Sequence, residues 1–339
     1  MKVSLILTVL NEGDALRPLL ESILAQSRPP DEIVVVDGGS RDETVAILES
    51  YCDRLSLRVI VAPGAGISQG RNIAIRHARH EVIAVTDGGV RLDPAWLEHL
   101  TGPFGKRGAH CASPPDLVSG FFRPDPRSRF EDALAATTLP APEEMGRGRF
   151  LPSSRSVAFT KAIWTAVGGY PEWMSYSEDV LFDLALLRGG ARIAYMPEAV
   201  VYFRPRPSLA AFARQYRNYA YGDGQGLLWP RRHAIRYATY LLALPLALTL
   251  LARRPTLGLV ALAGGGGAMF FTPLKRLARL QLAWQHKVAA APLIPIIRLV
   301  GDLAKMAGFP RGLPEGWANR DRTKAYLSQN LTADRKQIE

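Results

Sequence analysis

Polar clusters follow three of the short apolar runs near the N-terminus of the chain. Residues 8–12 follow the first run, residues 37–44 follow the second, and residues 86–89 follow a later one. In an open α/β sheet, ligands bind outside the carboxyl ends of the strands, which is where these clusters would stand. No G-x-G-x-x-G follows the first run, which argues against an ordinary dinucleotide-binding site. The clusters therefore predict a ligand site of another kind at this edge of a sheet.

Hydrophobic patterning predicts the elements that would position these clusters. Four β-branched runs are typical of strands: Val3–Val9, 32–36, Leu57–Val61 and 81–86. Helical patterns alternate with them, as at residues 14–26, and this alternation indicates βαβ units and a parallel sheet. Residues 101–150 gather Pro, Gly and Arg, so we expect loops over a site there, with a short helix at 128–137. Ordered elements are expected again at 156–159, 163–167 and 179–188, with a late strand near 192–195.

In their order along the chain, the motifs resemble those of family-2 glycosyltransferases of the GT-A fold. They are T-x-x-N-E at 8–12, D-G-G-S-x-D-x-T at 37–44, G-R-N-x-A at 70–74, a strand ending at Asp87, and the acidic pair Glu178-Asp179. The resemblance covers about residues 1–225. It implies an α/β fold with a mostly parallel sheet and helices on both faces.

The resemblance also implies which residues bind a nucleotide-sugar donor. Thr8, Asn11, Glu12 and Asp37 fall where the family holds the nucleotide base and ribose. Arg71 and Asn72 fall where the family contacts the nucleotide, and an arginine fork suits a diphosphate. The alternative for residues 70–72 is a helix-capping cluster on the surface.

Asp87 begins the element that corresponds to the family's D-x-D, which implies a divalent metal, Mg²⁺ or Mn²⁺, bridging the donor diphosphate. Gly89 stands in place of the second Asp, the usual metal ligand. Because Mg²⁺ accepts one carboxylate together with phosphate oxygens and water, Asp87 remains the expected metal ligand.

The acidic pair resembles the family's catalytic motif, which implies that Asp179 is the general base of an inverting transfer and that Glu178 assists acceptor binding. An inverting attack needs one carboxylate near the acceptor hydroxyl to take its proton. The alternative for Asp179 is a helix-capping role. Arg155 would bind phosphate or merely belong to a loop, and Arg217 would steady the leaving diphosphate. Arg214 and Asn218 replace the Gln and Trp of the Q-x-x-R-W found in processive relatives, which argues against a processive polymer synthase.

The composition of the chain limits the classes of partner that it could bind. A net charge of +11 allows a nucleic acid, an anionic membrane surface or a polyanionic ligand such as a nucleotide diphosphate. No aromatic stacking platform or recognition-helix pattern is seen, so no nucleic-acid partner is expected. The two cysteines, Cys52 and Cys111, form no C-x-x-C and indicate neither a disulfide framework nor a zinc site.

The chain becomes apolar after residue 230. Residues 235–252 contain one charged residue and residues 256–274 contain none, so each approaches the length that crosses a bilayer. Seven basic residues flank the outer ends of this hairpin and two lie in its turn, which predicts a cytoplasmic location for the N-terminal domain at the cell membrane. The alternative is a buried helical hairpin of a soluble domain. Residues 288–303 are expected to be interfacial rather than spanning.

The predicted organisation has five parts: a GT-A domain at 1–225, a basic connector at 226–234, a two-helix membrane hairpin at 235–274, an amphipathic segment at 275–312 and a polar tail at 313–339. The predicted activity is transfer of a sugar to a lipid-linked or other saccharide acceptor at the membrane. Two alternatives stay open, a glycosyltransferase that loads polyprenyl phosphate and a non-catalytic membrane scaffold that binds a nucleotide sugar.

Overall fold

A computed structural model of the chain describes residues 1–105, 114–140, 144, 151–329 and 331. These residues form two compact units. The first contains the described parts of Met1–Pro124, Gly148–Phe203 and Asp321–Glu339, and the second contains those of Asp125–Arg147 and Arg204–Arg320. The boundary expected near residue 225 therefore falls inside the second unit. Cys52 is a free thiol, and Cys111 lies outside the described residues.

The described residues of the first unit form a sheet of eight strands. In chain order they are β1 (Val3–Val9), β2 (Glu32–Asp37), β3 (Leu57–Val61), β4 (Val82–Val85), β5 (Val90–Leu92), β6 (Leu117–Pro124), β7 (Val157–Thr160) and β8 (Ile193–Phe203). Across the sheet they run β3-β2-β1-β4-β7-β6-β8-β5. The strands β1 to β4 pair in parallel, which confirms the α/β sheet that the sequence predicts. The β-branched residues of β1, β2 and β4 fill the core because these three strands are covered on both faces.

The other half of the sheet is mixed, which the sequence analysis did not anticipate. β7 runs antiparallel to β4 and β6, and β8 is parallel to β6 but antiparallel to β5. β6 lies where loops were expected, because Gly120 and Pro124 interrupt its apolar pattern. A Cβ at Gly120 would lie 2.4 Å from the Ala199 carbonyl oxygen, so glycine is required for this close approach of the strands. Residues 106–113, 141–143 and 145–150 of that expected loop region lie outside the described residues.

The described helices follow the same chain order. They are α1 (Arg17–Leu24), α2 (Thr44–Glu49), α3 (Ile67–His77), α4 (Trp96–Gly105), α5 (Arg129–Thr138), α6 (Lys161–Ala166), α7 (Glu178–Arg188), α8 (Leu209–Gln225), α9 (Pro230–Ala238), α10 (Leu244–Arg253), α11 (Pro255–Arg279), α12 (Trp284–Ala290), α13 (Leu293–Ala318) and α14 (Arg320–Leu327). The helix expected at 128–137 is present as α5. The segment expected as a polar tail from residue 313 contains the end of α13 and all of α14.

In the second unit, α8 packs closely against α13. A Cβ at Gly308 would lie 2.1 Å from the Arg217 carbonyl oxygen, and one at Gly312 would lie 2.0 Å from that of Tyr221. Glycines spaced one turn apart on α13 therefore let the two helix backbones touch. This packing explains why α8 belongs to the second unit although the sequence resemblance extends to residue 225.

Two helical stretches of the second unit are long and apolar enough to cross a membrane. They are Pro230–Arg253, which continues through a π-helical turn at Thr239–Ala243, and Pro255–Arg279. Their large apolar side chains are exposed, for example Leu242 at 68% and Val260 at 66%. A buried hairpin in the core of a soluble domain would have covered these side chains.

Candidate active site

The ends of β1 and β4 meet at one edge of the sheet. Glu12 follows β1, and a Cβ at Gly88 after β4 would lie 3.2 Å from the Glu12 carboxyl carbon. Thr8 lies on the same side, because a Cβ at Gly70 on α3 would lie 2.8 Å from its methyl group. The structure therefore brings together the polar clusters that the sequence predicts around residues 8–12 and 86–89.

Hydrogen bonds join the loop after β2 to the loop after β1. Asp37 is fully buried, and its carboxylate accepts from the backbone N–H groups of Gly39 at 2.9 Å and Ser40 at 2.8 Å. Asn11, at a φ of 53°, accepts from the Arg41 N–H at 2.9 Å. Thr44 accepts from the Glu12 N–H at 2.9 Å. The side chains of Asp37 and Asn11 thus shape the two loops, and a direct contact of either with a donor stays a prediction.

Arg71 lies inside the unit rather than at its surface. Its guanidinium donates to Glu178 at 2.7 Å and to Asp87 at 3.0 Å, and it lies over the Tyr170 ring at 5.2 Å. Only 3% of its side chain is exposed. Burial alone would lower the pKa of Arg71, but the charges of Glu178 and Asp87 raise it above its ordinary value. The donors of Arg71 thus hold two carboxylates, and its contact with a donor diphosphate stays a prediction.

Asn72 is likewise directed inward. It donates to the Tyr170 carbonyl oxygen at 2.9 Å and to Glu172 at 2.8 Å, and it accepts from the Trp164 indole at 3.1 Å and the Tyr170 N–H at 2.8 Å. Its hydrogen-bonding groups are therefore occupied within the protein. Asn72 therefore holds the loop that begins at Gly168, and its contact with the nucleotide stays a prediction.

Glu178 and Asp179 open helix α7. The preceding Ser177 has a φ of 58°, a left-handed conformation that turns the chain sharply into the helix. Glu178 is buried against Arg71, whereas Asp179 is half-buried and accepts from the Val180 N–H at 2.9 Å. Burial, together with the neighbouring Asp179 charge, raises the pKa of Glu178 to about 7 although Arg71 opposes the shift. Of the two acids, Asp179 is therefore the one that a solvent-side ligand can reach.

A third acid on α7, Asp183, was not predicted from the sequence. Asp183 stands one helical turn after Asp179, is 3% exposed, and its Oδ2 has no hydrogen-bond partner among the described residues. Burial, with the charges of Asp179 and Glu178, raises the pKa of Asp183 well above its ordinary value. Its signal in the sequence is an acid among the apolar residues of one short helix, namely Leu181, Phe182, Ala185 and Leu186.

Arg155 lies beside Asp87, and its predicted contact with phosphate stays a prediction. Its Nε is 3.6 Å from the Asp87 carboxylate, and its guanidinium lies 4.9 Å from the centre of the Phe203 ring. About a quarter of the side chain remains exposed, 26%. Arg217, the other predicted phosphate ligand, is an exposed residue of α8 and belongs to the second unit.

The predicted metal site contains one carboxylate, that of Asp87. Among the residues that the structure describes, no three His, Cys, Asp or Glu side chains are grouped to hold a cation. Asp87 is 32% exposed on its side chain and already pairs with Arg71 and Arg155. Mg²⁺ is commonly held by one or two carboxylates, with phosphate and water oxygens completing its shell. The residues present therefore fit a cation carried largely by a diphosphate, with Asp87 as the protein ligand.

Two family models match the chain over overlapping regions. The model described as glycosyl transferase family 2 matches residues 4–160, and the one described as glycosyl transferase family group 2 matches residues 140–288. The first region contains Glu12, Arg71 and Asp87, and the second contains Glu178 and Asp179, so both halves of the site lie within the matches. The chain belongs to glycosyltransferase family 2.

Two proteins named as glycosyltransferases are similar to the chain at low sequence identity. The O-antigen chain rhamnosyltransferase RfbN of Salmonella typhimurium is 24% identical over 59% of this chain and 66% of its own length. The uncharacterized glycosyltransferase EpsJ of Bacillus subtilis is 25% identical over 61% of this chain and 62% of its own length. The match thus spans a little under two thirds of each relative.

A solved structure shares the fold. The mannosyltransferase PcManGT from Pyrobaculum calidifontis, in complex with GDP-Man and Mn²⁺, superposes with a TM-score of 0.54 at 19% identity. The superposition covers 90% of this chain and 87% of that protein. The GT-A fold that the resemblance implied is therefore confirmed.

Proposed function

We propose that this family-2 protein is an inverting glycosyltransferase, in which Asp179 is the general base and the donor is a nucleotide-diphospho-sugar. One observation carries the proposal: the buried Arg71 joins Glu178, next to Asp179, to Asp87 at the end of β4. This connection fixes the distance between an acid that faces solvent and the edge of the sheet where α/β folds bind nucleotides.

The proton and electron transfers follow from this arrangement. The acceptor hydroxyl attacks the anomeric carbon from the face opposite the leaving group, and its proton passes to the Asp179 carboxylate. The bond from the anomeric carbon to the diphosphate breaks, and the nucleoside diphosphate leaves with the electron pair. Glu178 is held by Arg71 and orients the start of α7, so that Asp179 faces the acceptor.

The donor diphosphate would lie beside Asp87 and Arg155. The Arg155 guanidinium, supported by the Phe203 ring, is placed to donate to phosphate oxygens. A divalent cation held at Asp87 would supply further neutralisation of the charge that develops on the leaving group. Arg217 remains a proposed phosphate contact.

Substitution of Gly89 by Asp is expected to strengthen metal binding. None of the described residues comes within 4 Å of a Cβ at this position, so a second carboxylate fits without strain. The added charge should lower the Mg²⁺ or Mn²⁺ concentration for half-maximal transfer by about tenfold, a typical effect of one changed interaction at a metal site. Gly102→Asp, which adds the same charge at another open position, is the matched control. An identical metal requirement in Gly89→Asp and wild type would contradict the assignment of Asp87.

The second unit supports a membrane location and a lipid-linked acceptor. Its two candidate spans expose apolar side chains, and basic residues lie at their outer ends, namely Arg231, Arg232, Arg236, Lys275, Arg276, Arg279 and Lys287. Such an arrangement favours a catalytic unit on the cytoplasmic side. Confinement to the membrane plane would raise the effective concentration of an acceptor carried on polyprenyl phosphate.

This part of the proposal is tested with one saccharide acceptor presented in two forms. The protein is reconstituted in vesicles, and the rate of transfer is compared for the lipid-linked saccharide and for the same saccharide in solution. Linkage should increase the rate at equal bulk concentration by roughly 10²-fold or more. Equal rates would contradict the lipid-linked acceptor without affecting the proposed chemistry. Accumulation of a monosaccharide-phosphate lipid would instead indicate that polyprenyl phosphate itself is the acceptor.

A further inference from the structure

The last described part of the chain belongs to the first unit, although it follows the helices of the second. Residues 321–329 and 331, here called the C-terminal segment, include most of α14. This segment lies beyond residue 288, where the second family model ends. Tyr326 is 6% exposed and Leu331 is 3% exposed, so the segment is docked rather than loose.

The C-terminal segment contacts the loop that leads into α7. The Tyr326 hydroxyl donates to the Gly169 carbonyl oxygen at 2.5 Å, and its ring meets Trp173 edge-on with 5.3 Å between ring centres. Arg322 covers the Trp173 ring at 4.2 Å. These contacts fix residues 168–177, the segment between α6 and Glu178.

A second contact holds the other end of α7. The Leu331 N–H donates to the Gly189 carbonyl oxygen at 3.1 Å. A Cβ at Gly189 would lie 2.5 Å from Leu331, so the glycine leaves room for this side chain. The C-terminal segment therefore contacts the chain just before and just after the helix that carries the acidic pair.

The loop is connected to the site and ends in one strained residue. Ser177 has a φ of 58°, a conformation that a non-glycine residue keeps only where its surroundings impose it. Gly168 and Gly169, both at a φ of 78°, adopt the left-handed region without strain and give the start of the loop its turn. Asn72 holds the loop from one side through Tyr170, whose ring lies against the Arg71 guanidinium, and Tyr326 holds it at Gly169.

We propose that the C-terminal segment positions the start of α7 for sugar transfer, with Tyr326 as the positioning residue at its centre. Tyr326 acts through Gly169 and the loop, and not by contact with a substrate. The inference rests on the proposed function, since it assigns the segment a part in placing Asp179. It predicts that loosening the segment lowers turnover more than it lowers donor affinity.

The test compares full-length Tyr326→Phe with wild type and with Tyr51→Phe. Tyr326→Phe keeps the ring against Trp173 and removes only the hydroxyl that reaches Gly169. Tyr51 is also buried in the first unit and donates its hydroxyl to Glu21 at 2.7 Å, so Tyr51→Phe loses a comparable hydrogen bond away from α7. For each protein, kcat, the KM and the Kd for the donor, and hydrogen exchange over residues 168–177 are measured.

Tyr326→Phe should reduce kcat by about tenfold, since small misplacements of a catalytic group have effects of this order. Exchange over residues 168–177 should increase, the donor Kd should stay within about twofold of wild type, and Tyr51→Phe should match wild type. Wild-type kcat and exchange in Tyr326→Phe would overturn the inference, as would an equal loss in both variants. If wild type itself transfers no sugar, the proposed function fails, whereas the exchange measurement still tests the positioning of the loop.

Discussion

Asp179→Asn is expected to reduce sugar transfer by roughly 10²- to 10⁴-fold, the usual contribution of a general base. The asparagine side chain has the same shape and keeps an oxygen that can accept from the Val180 N–H, which Asp179 accepts from at 2.9 Å. The substitution therefore preserves the helix start while removing the proton acceptor. Turnover is measured by nucleoside diphosphate release at saturating donor, and donor binding by calorimetry.

The design separates catalysis from helix capping. The variant should bind the donor with wild-type affinity and unfold at the wild-type temperature, because neither the nucleotide edge nor the cap is altered. Wild-type turnover in Asp179→Asn would show that the residue only caps α7, which is the alternative that the sequence left open.

Arg71→Met is expected to destabilise the protein by about 3–5 kcal/mol, the loss typical of removing one partner of a buried ion pair. The methionine fills similar space, but it leaves Glu178 in a buried position without its cation and frees Asp87 from one of its two arginines. The unfolding free energy is measured by denaturant titration in detergent.

The control for this prediction is Arg54→Met. Arg54 pairs with Glu21 at 3.1 Å, but both side chains are about half exposed, at 55% and 53%, so water replaces the lost partner. Addition of Glu178→Gln to Arg71→Met should recover part of the stability, since it removes the charge left unpaired. Equal losses in Arg71→Met and Arg54→Met would contradict the structural role given to Arg71.

The parallel strands β1, β2 and β4 could be predicted because they are buried on both faces and appear as continuous β-branched runs. β2, with the sequence Glu32–Asp37, is such a run. β6 could not be predicted, because Gly120 and Pro124 break its pattern and its place depends on pairing with β8, far along the chain. The docking of α14 could not be predicted either, since the polar sequence of this helix gives little sign that Thr323 and Tyr326 are buried.

Some features of the candidate site could likewise be predicted from the sequence, and others could not. The positions of Glu12 and Asp87 followed from where strands end, because those ends are marked by composition, whereas the acidic pair was indicated by its resemblance to the family motif. The inward direction of Arg71 and Asn72 did not follow, because a helix residue faces either the core or solvent according to how the helix packs. An arginine in a nucleotide-binding motif therefore suggested a phosphate ligand, whereas the structure gives it two carboxylates.

The central claim is that this chain transfers sugar with Asp179 as base, and release of nucleoside diphosphate tests it most directly. Purified wild type and Asp179→Asn are incubated with a panel of nucleotide sugars, a native lipid extract and either Mg²⁺ or Mn²⁺. Release that depends on one donor and is lost in Asp179→Asn is the predicted result. Binding without release, for every donor and with both metals, would contradict the claim and favour a non-catalytic scaffold that binds a nucleotide sugar.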